Sequence, residues 1–126
     1  MQLQEILRGV SVSGNYDPAC KIVDIVYDSR KGKKDTLFAC LSGARFDGHA
    51  FAKSAYDNGC RVFLCEKEVA LPGDAKIILT ENTRAALAVC SANFFCNPSK
   101  EIAVVGITGT KGKTTVAHIV KYVLEA

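Results

Sequence analysis

The stretch Ile102-Ala103-Val104-Val105-Gly106-Ile107-Thr108-Gly109-Thr110-Lys111-Gly112-Lys113-Thr114-Thr115 decides how the end of this chain folds. Its first four residues are apolar without alternation, which predicts a strand that is buried on both faces of a parallel sheet. Glycines follow, and from Thr114 to about Glu125 apolar side chains recur at helical spacing. The stretch therefore predicts a strand, a glycine-rich loop and a helix, in that order.

The glycine-rich loop has the composition of a phosphate-binding loop. Its glycines let backbone N–H groups approach an anion without a Cβ in the way, and the following helix adds its free N–H groups and its positive end. Lys113 is placed to reach the β- and γ-phosphates of a nucleotide, and the Thr114 hydroxyl is placed to take a position on a magnesium ion. The general pattern G-x-x-x-x-G-K-[ST] asks for glycine where Ile107 stands, so a glycine-rich turn with an accidental lysine is the alternative.

The sequence therefore predicts an ATP site with Mg²⁺ at this loop, in which Lys113 is the catalytic residue and Thr114 contacts the metal through ATP. The residues expected to bind ATP are Gly109, Thr110, Lys111, Gly112, Lys113, Thr114 and Thr115.

Composition narrows the remaining classes of function. The chain has 126 residues, of which 48% are hydrophobic, so it can bury one compact core. Charged residues make up 23% and the net charge is +3, which disfavours a nucleic-acid-binding protein. Because no cationic segment leads into an apolar run and no long apolar run occurs, we expect a cytoplasmic protein without a membrane segment. We also expect a monomer.

The cysteines do not show the spacing of a metal or disulfide site. No C-x-x-C pair occurs, and most of them lie within apolar runs, so we predict reduced thiols in the core. The only histidines, His49 and His118, are far apart in sequence, and we predict no structural metal. The cysteines are Cys20, Cys40, Cys60, Cys65, Cys90 and Cys96.

Upstream of the glycine loop, helical and strand patterns alternate, which predicts an α/β fold. A short helical turn around Leu3–Leu7 ends at Gly9, Asp47 is placed to cap a helix over 48–58, and Asn97-Pro98 ends another over 82–95. Strands are predicted over 22–26, 36–41, 61–65 and 76–79.

The strand, loop and helix at the end of the chain are only half of a parallel crossover unit, which needs a second strand to pair with. Either this last element docks on the preceding sheet, or the sequence is the N-terminal part of a longer protein. We favour the second interpretation.

The shifted loop G-x-T-G-T-x-G-K-T-T resembles that of the Mur ligases, ATP-dependent amide-forming enzymes of peptidoglycan precursor synthesis. Folylpolyglutamate synthases carry a similar loop but lack the substrate domain that the upstream segments resemble. Those segments are Asp28-Ser29-Arg30, Leu37-Phe38-Ala39-Cys40-Leu41-Ser42-Gly43 and Asp47-Gly48-His49-Ala50-Phe51. Two positions depart from the family pattern: Asp35-Thr36 stands where Gly-Asp is usual, and Lys111 stands where Asn is usual.

Within the family, Phe94-Phe95 and Asn97-Pro98-Ser99 are most similar to the ligase that adds the third peptide residue. The resemblance implies a mixed-sheet UDP-sugar-binding domain over residues 1–98, followed over 99–126 by the first strand, loop and helix of a parallel-sheet ATPase domain. It implies that ATP phosphorylates UDP-N-acetylmuramoyl-L-alanyl-D-glutamate, and that a diamino acid, L-lysine or meso-diaminopimelate, attacks the acyl phosphate. The chain alone is expected to be inactive.

Three alternatives stay open at this point. One is the next ligase of the pathway, which adds D-alanyl-D-alanine. The second is a different phosphate-loop enzyme such as a kinase, and the third is a stand-alone UDP-sugar-binding module.

By resemblance, the uridine diphosphate end of the substrate is held by Tyr27, Ser29, Ala44, Arg45 and Phe46. Each has a simpler interpretation: Tyr27 closes a strand, Ser29 caps a turn, Arg45 is a solvated cation, and Phe46 anchors the core. We interpret Asp28 and Arg30 as residues that hold their turn, Asp47 as a helix cap and His49 as a neutral ring.

Overall fold

A mixed five-stranded sheet organises the first three quarters of the chain, and the computed structural model describes all of residues 1–126. The strand order is β1-β5-β4-β3-β2, in which β2 to β5 are parallel and β1 is antiparallel to β5. The strands are β1 (Ser13–Gly14), β2 (Asp24–Val26), β3 (Thr36–Ala39), β4 (Val62–Cys65) and β5 (Lys76–Leu79). The predicted α/β class with a mixed sheet is confirmed.

Helices cover both faces of this sheet. On one face α1 and α3 pack over a core that includes Ile22, Leu37 and Ile78, and on the other α2 packs over Phe38 and Phe63. The helices are α1 (Leu3–Ile6), α2 (Ala52–Asp57), α3 (Thr83–Phe94) and α4 (Lys113–Glu125). None of them is both long and apolar enough to cross a membrane.

The central strands β3 and β4 are buried along their whole length, as parallel strands covered on both faces are. Successive side chains alternate between the two cores, so Leu37 joins one and Phe38 the other. The Phe38 and Phe63 rings meet edge to face with centroids 6.0 Å apart.

Side chains cap the starts of two helical elements, and of these caps Asp47 was predicted. The Asn82 side chain accepts a hydrogen bond from the Ala85 N–H at 2.9 Å and caps α3, and Asp47 accepts one from the His49 N–H at 3.0 Å. The helix predicted over 48–58 begins as a 3₁₀ turn, Gly48–Phe51, and becomes α-helical in α2.

The predicted strand over 102–105 is wrong. This segment forms no strand and pairs with none, and Ile102, Val104 and Val105 are 64%, 67% and 69% exposed. A strand forms only where a neighbouring strand satisfies its backbone groups, and no strand of the sheet runs beside this segment. The other predicted strands are present, although β2 begins at Asp24 and β3 ends at Ala39, and β1 was not predicted.

The predicted helix after the glycine loop is confirmed as α4, which begins one residue earlier than expected, at Lys113. Its apolar stripe does not join either core: Val116 is 44% exposed, Ile119 57% and Val123 70%. Val105 and Ile107 line a groove of about 400 Å³ along this helix, together with Val120.

Candidate functional site

An open cleft lies where β2 leaves the sheet, and it contains most of the predicted substrate residues. Its volume is about 570 Å³. Ligands of open α/β sheets bind outside the carboxyl ends of parallel strands, and Tyr27 directly follows β2. We call it the aromatic cleft, and its lining residues are Tyr27, Asp28, Ser29, Arg30, Phe46, Phe51 and Ser54.

Three aromatic side chains of the cleft are exposed to solvent. Tyr27 is 67% exposed, Phe46 72% and Phe51 45%, whereas Phe38 and Phe63 in the core are fully buried. The interpretation of Phe46 as a core anchor is therefore wrong. Exposed rings around one cleft offer flat apolar surfaces on which a planar ligand can stack.

Asp28 and Arg30 form a bidentate ion pair at the edge of the aromatic cleft. The Arg30 Nε and Nη2 atoms lie 2.9 and 2.7 Å from Oδ1 and Oδ2 of Asp28, and Oδ1 also accepts the Arg30 backbone N–H at 3.0 Å. These hydrogen bonds lower the pKa of Asp28 to about 2. The interpretation of both residues as holding their turn is confirmed, and the Arg30 side chain stays 86% exposed beside the cleft.

The loop that carries Phe46 is a tight turn closed at its base. The Gly43 N–H donates to the Phe46 carbonyl at 2.9 Å, and Ser42 pairs with Asp47 across the turn. Ala44 and Arg45 lie at its tip and do not line the cleft. The structure thus brings together Tyr27, Ser29 and Phe46, and leaves the other two predicted residues in the adjacent turn.

Besides Asp28 and Arg30, two lining residues of the cleft were not predicted as contacts, namely Phe51 and Ser54. They stand three residues apart where the 3₁₀ turn runs into α2, so they share one face of that element. In the sequence, this three-residue spacing shortly after the loop of Phe46 was the available indication that both residues line the cleft. Phe51 is about half exposed, so its ring is accessible to a ligand in the cleft.

His49 is buried and held at both ring nitrogens. Nε2 accepts the Glu66 backbone N–H at 3.0 Å, so the ring proton lies on Nδ1, which donates to Asp47 Oδ1 at 2.6 Å. This is the neutral ring that we predicted. Lys67 Nζ lies 2.6 Å from the other oxygen of Asp47, and the Lys67 and His49 hydrogen bonds lower the pKa of Asp47.

The glycine loop has the backbone conformation that its composition requires. Gly109 has φ of +151° and Gly112, directly before α4, has φ of +80°, a region that other residues rarely adopt. The first helical hydrogen bond of α4 runs from the Val116 N–H to the Gly112 carbonyl, so the N–H groups of the helix start before Val116 have no helical acceptor.

The Lys113 ammonium folds back across the loop and donates to the Gly109 carbonyl at 2.5 Å. A cation, free N–H groups and a helix N-terminus therefore face the same exposed loop, and this arrangement fits a phosphate group.

Comparison with known proteins agrees with this architecture. The family model described as "Mur ligase family, catalytic domain" matches residues 21–105. A UDP-N-acetylmuramoyl-L-alanyl-D-glutamate--2,6-diaminopimelate ligase of Clostridium botulinum is 44% identical over 99% of this chain. The match covers 26% of that relative, so the chain spans about a quarter of the length of the curated relatives it matches.

Solved structures of ligases have the same fold. A UDP-N-acetylmuramoylalanyl-D-glutamyl-2,6-diaminopimelate--D-alanyl-D-alanyl ligase from Acinetobacter baumannii is 28% identical, with a TM-score of 0.72 over 90% of this chain and 25% of its own. MurF ligase from Thermotoga maritima, solved in complex with ADP, is also 28% identical, with a TM-score of 0.58 over 76% of this chain and 21% of its own. The family match covers well over half of the chain, and the chain therefore belongs to the Mur ligase family.

Proposed function

We propose that this chain is the substrate-binding part and the phosphate loop of an ATP-dependent ligase that joins a diamino acid to UDP-N-acetylmuramoyl-L-alanyl-D-glutamate. The observation that carries the proposal is the aromatic cleft, in a chain 44% identical to a relative named as the 2,6-diaminopimelate ligase. That relative also favours diaminopimelate over lysine as the added residue. The ligase adding D-alanyl-D-alanine is the weaker candidate, because the structure that carries this name is 28% identical.

The aromatic cleft has the chemistry that a uridine diphosphate group requires. A pyrimidine base can stack on the exposed ring of Phe46 or Tyr27, and the Ser29 hydroxyl can hydrogen-bond a base or phosphate oxygen. Arg30 is aligned by Asp28 and keeps its guanidinium exposed, so it can meet a diphosphate together with Arg45 from the adjacent turn.

The glycine loop provides the ATP-binding side of the proposed reaction. ATP supplies a phosphoryl group that turns a carboxylate into a substrate for amine attack. The chain's own contribution is to hold the phosphates: the N–H groups at the start of α4 donate hydrogen bonds to the anion, and Lys113 neutralises its charge. The Thr114 hydroxyl is exposed on the first turn and can reach Mg²⁺.

We propose residues 1–98 as the UDP-sugar-binding domain and residues 99–126 as the start of the ATP-binding domain. The buried core residues lie between Leu3 and Cys90, which supports the first boundary. The apolar stripe of α4 is exposed, although a helix with one apolar face normally packs against another element. This supports residues 99–126 as part of a second domain. We expect the enzyme to act in the cytoplasm as a monomer.

Calorimetric titration with UDP-N-acetylmuramoyl-L-alanyl-D-glutamate, ADP and uridine monophosphate tests the substrate assignment. We expect the dipeptide compound to bind, and Phe46→Ala to weaken it by ~1–3 kcal/mol, the usual value of stacking on a base. Phe95→Ala is the matched control, because Phe95 is similarly exposed, at 66% against 72% for Phe46, but lies outside the cleft. Absence of binding by the uridine compounds would overturn the proposal.

ADP binding distinguishes the remaining alternatives. Weak Mg²⁺-dependent ADP binding that Lys113→Ala abolishes favours the ligase, whereas uridine binding without ADP binding favours a stand-alone UDP-sugar module. ADP binding without uridine binding favours a different phosphate-loop enzyme. The purified chain should show no ligase turnover, and a detectable amide product would contradict our assignment of it as a part of the enzyme.

A further inference from the structure

Cys40, His49 and Cys65 form a buried cluster that the proposed reaction does not use. Their ligand atoms all lie within 4.8 Å of one another, and the two sulfur atoms are 3.4 Å apart. We propose that this cluster is a zinc site, with the sulfurs of Cys40 and Cys65 and Nε2 of His49 as ligands. The inference is independent of the proposed function.

The fold brings these residues together from three separate places in the chain. Cys65 ends β4, Cys40 directly follows β3, and the parallel register of the two strands makes the cysteines neighbours. The Cys40 N–H donates to the Leu64 carbonyl at 2.8 Å, which continues the ladder to this point. His49 comes from the 3₁₀ turn before α2, on the same face of the sheet as both sulfurs.

The distances suit a zinc ion with little rearrangement. Zinc binds sulfur at about 2.3 Å and imidazole nitrogen at about 2.0 Å, so ligand atoms in a tetrahedral site lie about 3.3–3.8 Å apart. The 3.4 Å between the two sulfurs is about 0.4 Å short of the separation of two thiolates on tetrahedral zinc, and the three ligand atoms, which lie within 4.8 Å of one another, have to close by up to about 1 Å. The three side chains supply three of the four ligands of a tetrahedral site.

The surroundings of His49 are those of a metal-bound imidazole. Metal-ligating histidines almost always donate their second ring N–H to a carboxylate, a backbone carbonyl or water, which fixes the tautomer and the ring orientation. Here Nδ1 donates to Asp47 at 2.6 Å, and Asp47 is itself held by Lys67 at 2.6 Å. Nε2 carries no proton in that tautomer. Its one hydrogen bond comes from the Glu66 backbone N–H, which zinc would displace.

Charge favours zinc over a monovalent soft ion. Zinc with two thiolates is neutral, whereas Cu⁺ with two thiolates leaves a negative charge among buried side chains, where an uncompensated charge is costly. Cys40 and Cys65 have no exposed surface and His49 is 8% exposed, so a neutral site is required. Two thiol protons leave to solvent when the ion binds, and no oxidant or reductant is needed.

The first test measures bound metal in the wild-type chain. We expect one zinc per chain after growth with zinc and dialysis against metal-free buffer. We also expect Co²⁺, added to the metal-free chain, to give sulfur-to-cobalt charge-transfer bands and the intense visible bands of a tetrahedral thiolate site. No zinc and no such cobalt spectrum in the wild-type chain would overturn the proposal.

Variants then identify the ligands. Cys40→Ser and Cys65→Ser should each lose the charge-transfer bands or weaken zinc binding by at least tenfold, and Asp47→Asn should weaken it by about tenfold. Cys60→Ser is the matched control, because Cys60 is fully buried in the same core but bonds Thr36 instead, at 2.8 Å. Cys60→Ser should keep its zinc, with circular dichroism reporting whether each variant folds.

Two further outcomes would also overturn the assignment. One is retention of stoichiometric zinc by a folded Cys65→Ser variant. The other is an intact mass two hydrogens below that of the reduced chain, without metal, which would mean that Cys40 and Cys65 form a disulfide instead. If the cysteine variants do not fold, the cobalt spectrum of the wild-type chain decides.

Discussion

At the scale of single residues, Gly48 shows how closely the loop at the aromatic cleft approaches the sheet. A Cβ at this position would lie 2.6 Å from the Leu41 nitrogen and 2.8 Å from its oxygen, and backbone atoms cannot move aside. The Gly48 N–H also donates to that carbonyl at 2.8 Å. The sequence motif around His49 therefore contains a glycine for reasons of packing.

We predict that Gly48→Ala lowers the free energy of unfolding by about 1–3 kcal/mol, the usual cost of overpacking. Urea unfolding followed by circular dichroism measures it. Gly73→Ala is the control, since nothing lies within 4 Å of a Cβ there, and it should change stability by less than about 0.5 kcal/mol. Equal losses in the two variants would contradict the steric explanation.

Asp28 gives the chain a defined acid sensitivity. Its pKa of about 2 lies below the ordinary value of 3.8, so its ion pair stabilises the folded state above pH 3.8, and this contribution is lost as the pH falls towards 2. We predict that Asp28→Asn is less stable than wild type at neutral pH and that the difference disappears over this interval.

Urea midpoints measured at a series of pH values follow that difference. Asp57→Asn is the control, because Asp57 forms only an exposed pair with Lys53 within α2, at 2.5 Å, and such pairs contribute little. If the difference in stability between Asp28→Asn and wild type stays constant down to pH 2, the ionised carboxylate is not its cause.

At the scale of elements, features that neighbouring residues specify, such as a helix cap, were predicted correctly. Whether a segment pairs with a particular neighbouring strand was predicted less well. Asp47 caps its helical turn as expected, and the strand at 76–79 has the predicted bounds. The apolar run at 102–105 indicated a strand, but an apolar run reports a tendency to be buried and does not supply a neighbour. The antiparallel β1 is two residues long, and no pattern marks a strand so short.

The cap of α3 carries a measurable share of stability. We predict that Asn82→Ala lowers the free energy of unfolding by about 1 kcal/mol, because the Ala85 N–H loses its acceptor. Asn82→Asp keeps a side-chain oxygen at this position and should stay near wild type. Thermal unfolding compares them, and an Asn82→Asp variant as unstable as Asn82→Ala would show that the oxygen is not what matters.

At the scale of the whole molecule, sequence patterns predicted where the functional regions lie better than they predicted which residues belong to each region. The turn after β2 and the loop of Phe46 meet in one cleft as the resemblance implied, while Phe51 and Ser54 join it through the path of the chain. The cluster of Cys40, His49 and Cys65 has no sequence signal, because its two cysteines are 25 residues apart and only the strand register makes them neighbours.

The two parts of the chain should also differ in their contribution to stability. Ile6 is fully buried between α1 and the sheet, so Ile6→Ala should lower the free energy of unfolding by about 2–5 kcal/mol. Ile119 in α4 is 57% exposed, so Ile119→Gln should change it by less than about 0.5 kcal/mol in this chain. Urea unfolding monitored by the near-ultraviolet signal of the tyrosines tests both variants. A large loss in Ile119→Gln would mean that α4 packs against the sheet in solution, and that the apolar stripe of this helix is covered by the preceding domain.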